Sequence, residues 1–155
     1  MPRAFHIERS IELAATPAAL HAIVDDLGRW KDWSPYVRMD PDAVMTLSGP
    51  PAGVGAALAW QGERSGAGRM EIVESVPGER VVLRLDFERP MRATNTTRWT
   101  MSPAGAGSTR FTWSMEGDRP LGMVVLAAIL RLDNMIGKQF DDGLALLRDV
   151  VAASR

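Results

Sequence analysis

Residues 121–151 read LGMVVLAAILRLDNMIGKQFDDGLALLRDVV, and the spacing of their apolar positions decides how the rest of the chain must be arranged. Leu121, Val124, Val125, Ala128, Leu132, Met135, Ile136, Phe140, Leu144, Leu147 and Val151 recur at steps of three and four, the spacing that lines one face of an α-helix. The stretch predicts one long C-terminal helix with one apolar stripe. Gly137 and Gly143 fall inside it, each costing about 1 kcal/mol relative to alanine, so each is expected to mark a kink or a close approach of the sheet. Met123, Leu126, Ala127 and Leu130 lie off the stripe and make the front half apolar on most sides, as a cavity lid, a dimer seam or deep core would be. Asp141, Asp142 and Arg148 read as a solvated face.

Upstream of this helix the period is two. Phe5, Ile7, Ile11 and Leu13 alternate with polar residues and predict a half-buried strand, with Arg9 as a charged member of the apolar phase. Thr16-Pro17 is a helix start, an N-cap followed by proline at the first helical position. Leu20, Ile23, Val24 and Leu27 give that short helix its stripe, and Gly28 is expected to end it. A second short helix or turn holds Trp30 and Trp33, three apart on one face, with Pro35 expected to close it. Segments near 37–47, 54–61, 69–76, 80–88, 93–101 and 108–116 then read as strands. Turn-forming residues separate them, including Pro77-Gly78 and Arg89-Pro90-Met91, and such short connections imply an antiparallel meander. No repeat, low-complexity tract or linker interrupts residues 1–155, so a single α+β domain is expected.

A sheet with one apolar face must cover it, and only the C-terminal helix is long enough to do so. Strongly twisted sheets of this size curl, and a curl around one helix leaves an internal space for side chains or a ligand. The inward phase is apolar and aromatic: Ala56, Leu58 and Trp60; Met70 and Ile72; Val81, Leu83, Leu85 and Phe87; Trp99 and Met101; Phe111, Trp113 and Met115. Glu74, Asn95 and Thr97 continue that phase as polar exceptions, and a buried polar group without a partner costs several kcal/mol. The candidate ligand-binding set is therefore Trp60, Ile72, Glu74, Leu83, Leu85, Phe87, Asn95, Thr97, Trp99, Phe111, Trp113 and Met115 from the sheet, with Leu132, Met135 and Ile136 from the helix. Glu74 is also the candidate catalytic residue: an apolar setting would raise its pKa and suit it to general acid/base work, with Asn95 or Thr97 as donor. The plainer reading leaves Glu74 near a strand end, in solvent or paired with Arg9. Trp30 and Trp33 read either as ligand-stacking rings or as a pin holding their short helix to the sheet.

Composition removes several function classes. The formal net charge is −1, from 18 basic and 19 acidic side chains without blocks, which does not favour nucleic acid as a partner. The basic residues are nearly all arginine, which together with the abundant alanine reads as a coding bias. There is no cysteine, hence no disulfide framework or thiolate chemistry. The most apolar run, 123–130, is far shorter than the ~20 residues that span a bilayer, so stable membrane insertion is not expected. The start of the chain lacks the apolar stretch of a secretory signal, and a cytoplasmic location is expected by default. The two histidines, His6 and His21, offer no metal cluster and no Ser-His-Asp arrangement facing the cavity. Gly53-Val54-Gly55 and Gly66-Ala67-Gly68 lack the strand-to-helix context of a nucleotide loop, so no cofactor is expected.

Several local motifs are also shared with a known group of proteins. Thr16-Pro17, Trp30-x-x-Trp33-Ser34-Pro35, Gly49-Pro50 with Val54-Gly55-Ala56, and Trp60-x-Gly62 are the first of them. Met70-x-Ile72-x-Glu74-Ser75-x-Pro77, Thr109-x-Phe111-x-Trp113-Ser114-Met115 and Ile136-Gly137-x-x-Phe140-x-x-Gly143-Leu144 follow. In these residues the chain resembles the START-like, or SRPBCC, superfamily and its polyketide cyclase/dehydrase-like branch, over essentially its whole length. The resemblance implies the helix-grip fold, in which about seven strands wrap a long C-terminal helix. It also implies binding of a small apolar molecule such as a lipid, polyketide or aromatic compound, since members of the superfamily do this and some are aromatase/cyclases. Three functions are thus expected to compete: a binding protein or carrier, a cyclase or dehydratase using Glu74, and a protein-interaction module, with a homodimer possible.

Overall fold

A computed structural model describes residues 3–89, 91–119 and 121–154. Pro90, expected in a turn, lies outside them, as does the side chain of Leu121. The strands are β1 (Arg3–Leu13), β2 (Val44–Ser48), β3 (Ala57–Gly62), β4 (Gly66–Val76), β5 (Arg80–Arg89), β6 (Ala93–Gly105) and β7 (Ser108–Arg119). They form one sheet in the order β1-β7-β6-β5-β4-β3-β2, with every neighbouring pair antiparallel. From β2 to β7 the chain is a meander, as the short glycine- and proline-bearing turns require. β1 returns from the N-terminus to pair with β7, setting Ile7 opposite Met115 and Ile11 opposite Phe111.

Between β1 and β2 lie α1 (Pro17–Val24), a single 3₁₀ turn at Leu27–Arg29, α2 (Trp30–Trp33) and α3 (Pro35–Met39). Thr16 caps α1, its hydroxyl accepting from the Ala19 N–H at 3.2 Å, and Leu20, Ile23 and Val24 face the core. Ser34 caps α3 by accepting from the N–H groups of Tyr36 and Val37. The C-terminal region forms α4 (Leu121–Leu130) and α5 (Leu132–Ala153). Helix α5 packs on β1, α2 and α3 and buries Phe140, Leu144, Leu147 and Val151. Burial of a large apolar side chain contributes roughly 1.5–3 kcal/mol, so this stripe is a major tie between helix and sheet. Phe140 stacks on Trp113 at 4.3 Å. One turn further on, a Cβ at Gly143 would stand 2.6 Å from Trp113 and 3.0 Å from Pro35. Gly143 therefore marks a close approach, one of the two explanations its position allowed.

Four sequence expectations are corrected. Residues 37–43 are not strand: Pro35 opens α3, because Ser34 and Pro35 together make an N-cap and first helical position, and β2 begins only at Val44. Helix α1 stops at Val24, before Gly28, which sits in the 3₁₀ turn with its N–H on Asp26. The C-terminal helix is two helices, broken at Arg131 in the left-handed region (φ 52°, ψ 43°) and not at Gly137. Gly137 instead makes room for the guanidinium of Arg9, which reaches Asp141 at 3.4 Å. Finally, because the break resets the helical phase, the stripe does not run through α4. Among its described side chains the buried one is Ala127, whereas Val125 and Met135, both on the predicted stripe, are about half exposed at 57% and 51%.

Candidate functional site

Between the concave face of the sheet and α5 lies a cavity of about 230 Å³. Its sheet walls are Met45, Leu58, Trp60, Met70, Leu83, Leu85, Phe87, Thr97, Trp99, Trp113 and Met115. Helix α5 supplies Ile136, Gln139 and Phe140. The remaining wall comes from α2, α3 and the turns beside them, through Trp30, Ser34, Tyr36, Val37, Asp40, Pro41, Ala43 and Ser65.

Of the residues expected from the sequence, Trp60, Leu83, Leu85, Phe87, Thr97, Trp99, Trp113, Met115 and Ile136 meet at this cavity. Ile72 and Phe111 are fully buried in the packed core outside its lining. Asn95 is buried but points its amide at the Met115 sulfur, 4.0 Å away. Leu132 and Met135 are not in the lining, and Met135 faces solvent.

Glu74 is the main correction. A β-bulge falls between Ile72 and Glu74: Ile72 pairs with Leu83, then Glu74 pairs with Val82, so Val73 is an extra residue. The alternation breaks there, both Val73 and Glu74 face outward, and Ser75 takes the inward position. The Glu74 carboxylate accepts from the Arg80 Nε at 2.7 Å and is about half exposed. Its partner is Arg80, Arg9 being engaged with Asp141.

Ser75, turned inward, joins His21 and Asp25 in a buried polar cluster at the junction of β4 and α1. Its hydroxyl donates to Asp25 Oδ1 at 2.7 Å and lies 2.9 Å from His21 Nε2. Serine gives its proton to the carboxylate and not to the imidazole, which is the reverse of an activated nucleophile. The cluster ties α1 to the sheet. No three His, Cys, Asp or Glu side chains converge among the described residues.

The cavity is strongly aromatic. Trp30, Tyr36, Trp60, Phe87, Trp99, Trp113 and Phe140 all line it, and Trp30 stacks on Trp99 at 5.5 Å. Trp33 is sealed behind them against Trp99, Phe111 and Trp113. The two tryptophans of α2 thus divide the roles expected of them, Trp33 pinning the helix and Trp30 reaching the cavity wall. Burial pushes the Tyr36 phenol well above its usual pKa, so it stays a neutral donor. Among the described residues the hydroxyl of Thr97 and the indole N–H of Trp99 have no hydrogen-bond partner.

Among the site residues that sequence reasoning missed, Val37, Asp40, Pro41 and Ala43 are on the segment mistaken for strand. Asp40 is 6% exposed and lines the cavity. Its Oδ2 accepts from the Ser65 N–H at 2.9 Å, the Ser65 hydroxyl at 2.8 Å and the Arg64 N–H at 3.0 Å. These bonds, those from Ser65 first, hold its carboxyl below the usual aspartate range, and it is ionised at neutral pH. The one available signal was Asp40-Pro41, a dipeptide that favours a turn.

A sequence model of the family described as "Polyketide cyclase / dehydrase and lipid transport" matches residues 4–152. Comparison with curated proteins returned no match. Among solved structures, a norcoclaurine synthase point mutant from Thalictrum, in complex with a transition-state analogue, is similar with a TM-score of 0.76 at 14% identity, covering 99% of this chain and 98% of that one. A solution structure of a protein from Thermobifida fusca aligns with a TM-score of 0.73 at 20% identity, over 96% of this chain and 93% of its own. The Aha1 dimer from Colwellia psychrerythraea aligns with a TM-score of 0.65 at 13% identity, over 95% and 96%. At these identities the likeness concerns the fold, which is the helix-grip arrangement expected from the sequence.

Proposed function

This chain belongs to the polyketide cyclase/dehydrase and lipid transport family, and from that premise we propose that it binds a small hydrophobic, ring-containing molecule in the cavity between its sheet and α5. The observation that carries the reading is the lining itself: seven aromatic side chains surround a space of about 230 Å³. An apolar guest there exchanges water for ring faces and edges, the usual character of a small-molecule site. A binding or carrier role is favoured over the cyclase reading built on Glu74, whose carboxylate is outside the cavity and engaged with Arg80. Norcoclaurine synthase is an enzyme on a similar fold, but a fold does not carry its chemistry from one member to another.

Native mass spectrometry of freshly purified protein, with and without added 2-naphthylmethanol, tests the reading. The wild type is expected to hold one small molecule, either co-purified or added. Leu85→Trp, which fills the cavity from β5, is expected to hold none. A wild type that takes up neither, or a Leu85→Trp variant that binds as well as wild type, would remove the cavity as the site.

A further inference from the structure

We infer that the cavity's ligand is a ring-bearing cation of about bicyclic size, whose protonated nitrogen is received by Asp40 at the edge of the aromatic walls. This rests on the ligand-binding reading above and adds to it the size and charge of the guest.

Size follows from volume. A dry cavity of roughly 150 Å³ accommodates one benzene, so about 230 Å³ has room to enclose a two-ring system, whereas a sterol or a four-ring polyketide would have to project from it. Charge follows from Asp40, the single carboxylate in the lining, where no arginine, lysine or histidine side chain is present. Of the other polar groups in the lining, the Thr97 hydroxyl and the Trp99 indole N–H lack a partner but carry no charge, and four others are engaged. Ser34 caps α3, Ser65 donates to Asp40, the Trp60 indole donates to the Ser65 carbonyl, and the Gln139 amide reaches the Met39 sulfur.

All three hydrogen bonds to Asp40 fall on Oδ2. Among the described residues no donor reaches Oδ1 and no cationic side chain comes within 4.0 Å of the carboxylate; Arg64 gives it a backbone N–H, and its guanidinium acts on it only from further away. Nor is Oδ1 among the fully enclosed polar atoms that lack a partner, so it keeps some accessible surface. The donors on Oδ2 and the more distant Arg64 charge keep the carboxylate ionised and leave Oδ1 open, where a cationic ligand would gain a charge-assisted hydrogen bond. The aromatic walls favour the same guest, since electron-rich rings such as those of Tyr36 and Trp60, both in the lining, attract a cation.

The experiment compares 2-naphthylmethylamine, protonated at neutral pH, with the neutral isostere 2-naphthylmethanol and the anion 2-naphthoate, by calorimetric titration of wild type and Asp40→Asn. In wild type the amine is expected to bind about tenfold or more tightly than the alcohol, as a hydrogen bond to a charged partner predicts, with the anion weakest. In Asp40→Asn the preference for the amine over the alcohol is expected to collapse to about twofold. The side-chain oxygen of asparagine can still accept from Ser65 and Arg64, so the fold is not put at risk by design. Equal affinities for amine and alcohol in wild type would overturn the cation inference while leaving the cavity reading intact, and so would a full amine preference in Asp40→Asn. If neither amine nor alcohol binds wild type, the cavity reading falls and takes this inference with it.

Discussion

Thr97 sits in the inward phase of β6, 3% exposed, with a hydroxyl that finds no partner among the described residues. A buried hydroxyl without a hydrogen bond costs about 1–3 kcal/mol, whereas an isosteric methyl at the same place costs nothing of the kind. Thr97→Val is therefore expected to stabilise the ligand-free protein by about 1 kcal/mol, read as a higher urea midpoint at unchanged slope. A lower midpoint would show that the hydroxyl is satisfied in solution. That Thr97 faces inward was legible from simple alternation with Trp99 and Met101. Asp40 was not legible in that way, because its meaning depends on Ser65, twenty-five residues away and on another turn.

At the scale of elements, the strands were the easiest part to read and the irregularities the hardest. Alternation places a side chain correctly only while the register is unbroken, and the bulge after Ile72 moves Glu74 from the inner to the outer face. No residue at 73 or 74 announces it. The helix break is similar: Arg131 adopts the left-handed conformation that glycine would favour, and its identity gives no hint of this. The left-handed region costs an L-residue roughly 1 kcal/mol or more. Arg131→Gly is thus expected to raise stability by about 0.5–1 kcal/mol in denaturant unfolding. Were α4 and α5 one continuous helix in solution, the same change would lower stability by about 1 kcal/mol. The sign of the effect decides between the two geometries.

For the whole molecule, the cavity links ligand binding to stability, because a guest that binds only the folded state adds RT ln(1 + [L]/Kd). At a concentration one hundred times its Kd, 2-naphthylmethylamine should add about 2.7 kcal/mol. For a domain of this size that corresponds to a rise in Tm of roughly 5–10 °C, measurable by calorimetry or tryptophan fluorescence. A Tm that stays fixed at saturating ligand would mean that binding is not to the folded cavity.

Taken alone, the sequence determined the strand count, the antiparallel meander, the terminal helical region and an aromatic inner face. These follow from periodicity and turn chemistry, which act between residues a few positions apart. Only the tertiary structure decided that Glu74 leaves the cavity, that Asp40 enters it, and that the helix breaks at Arg131. Each of those outcomes is set by segments far apart in the chain, through a change of register, a shared hydrogen bond or a packing demand, and no local pattern encodes them.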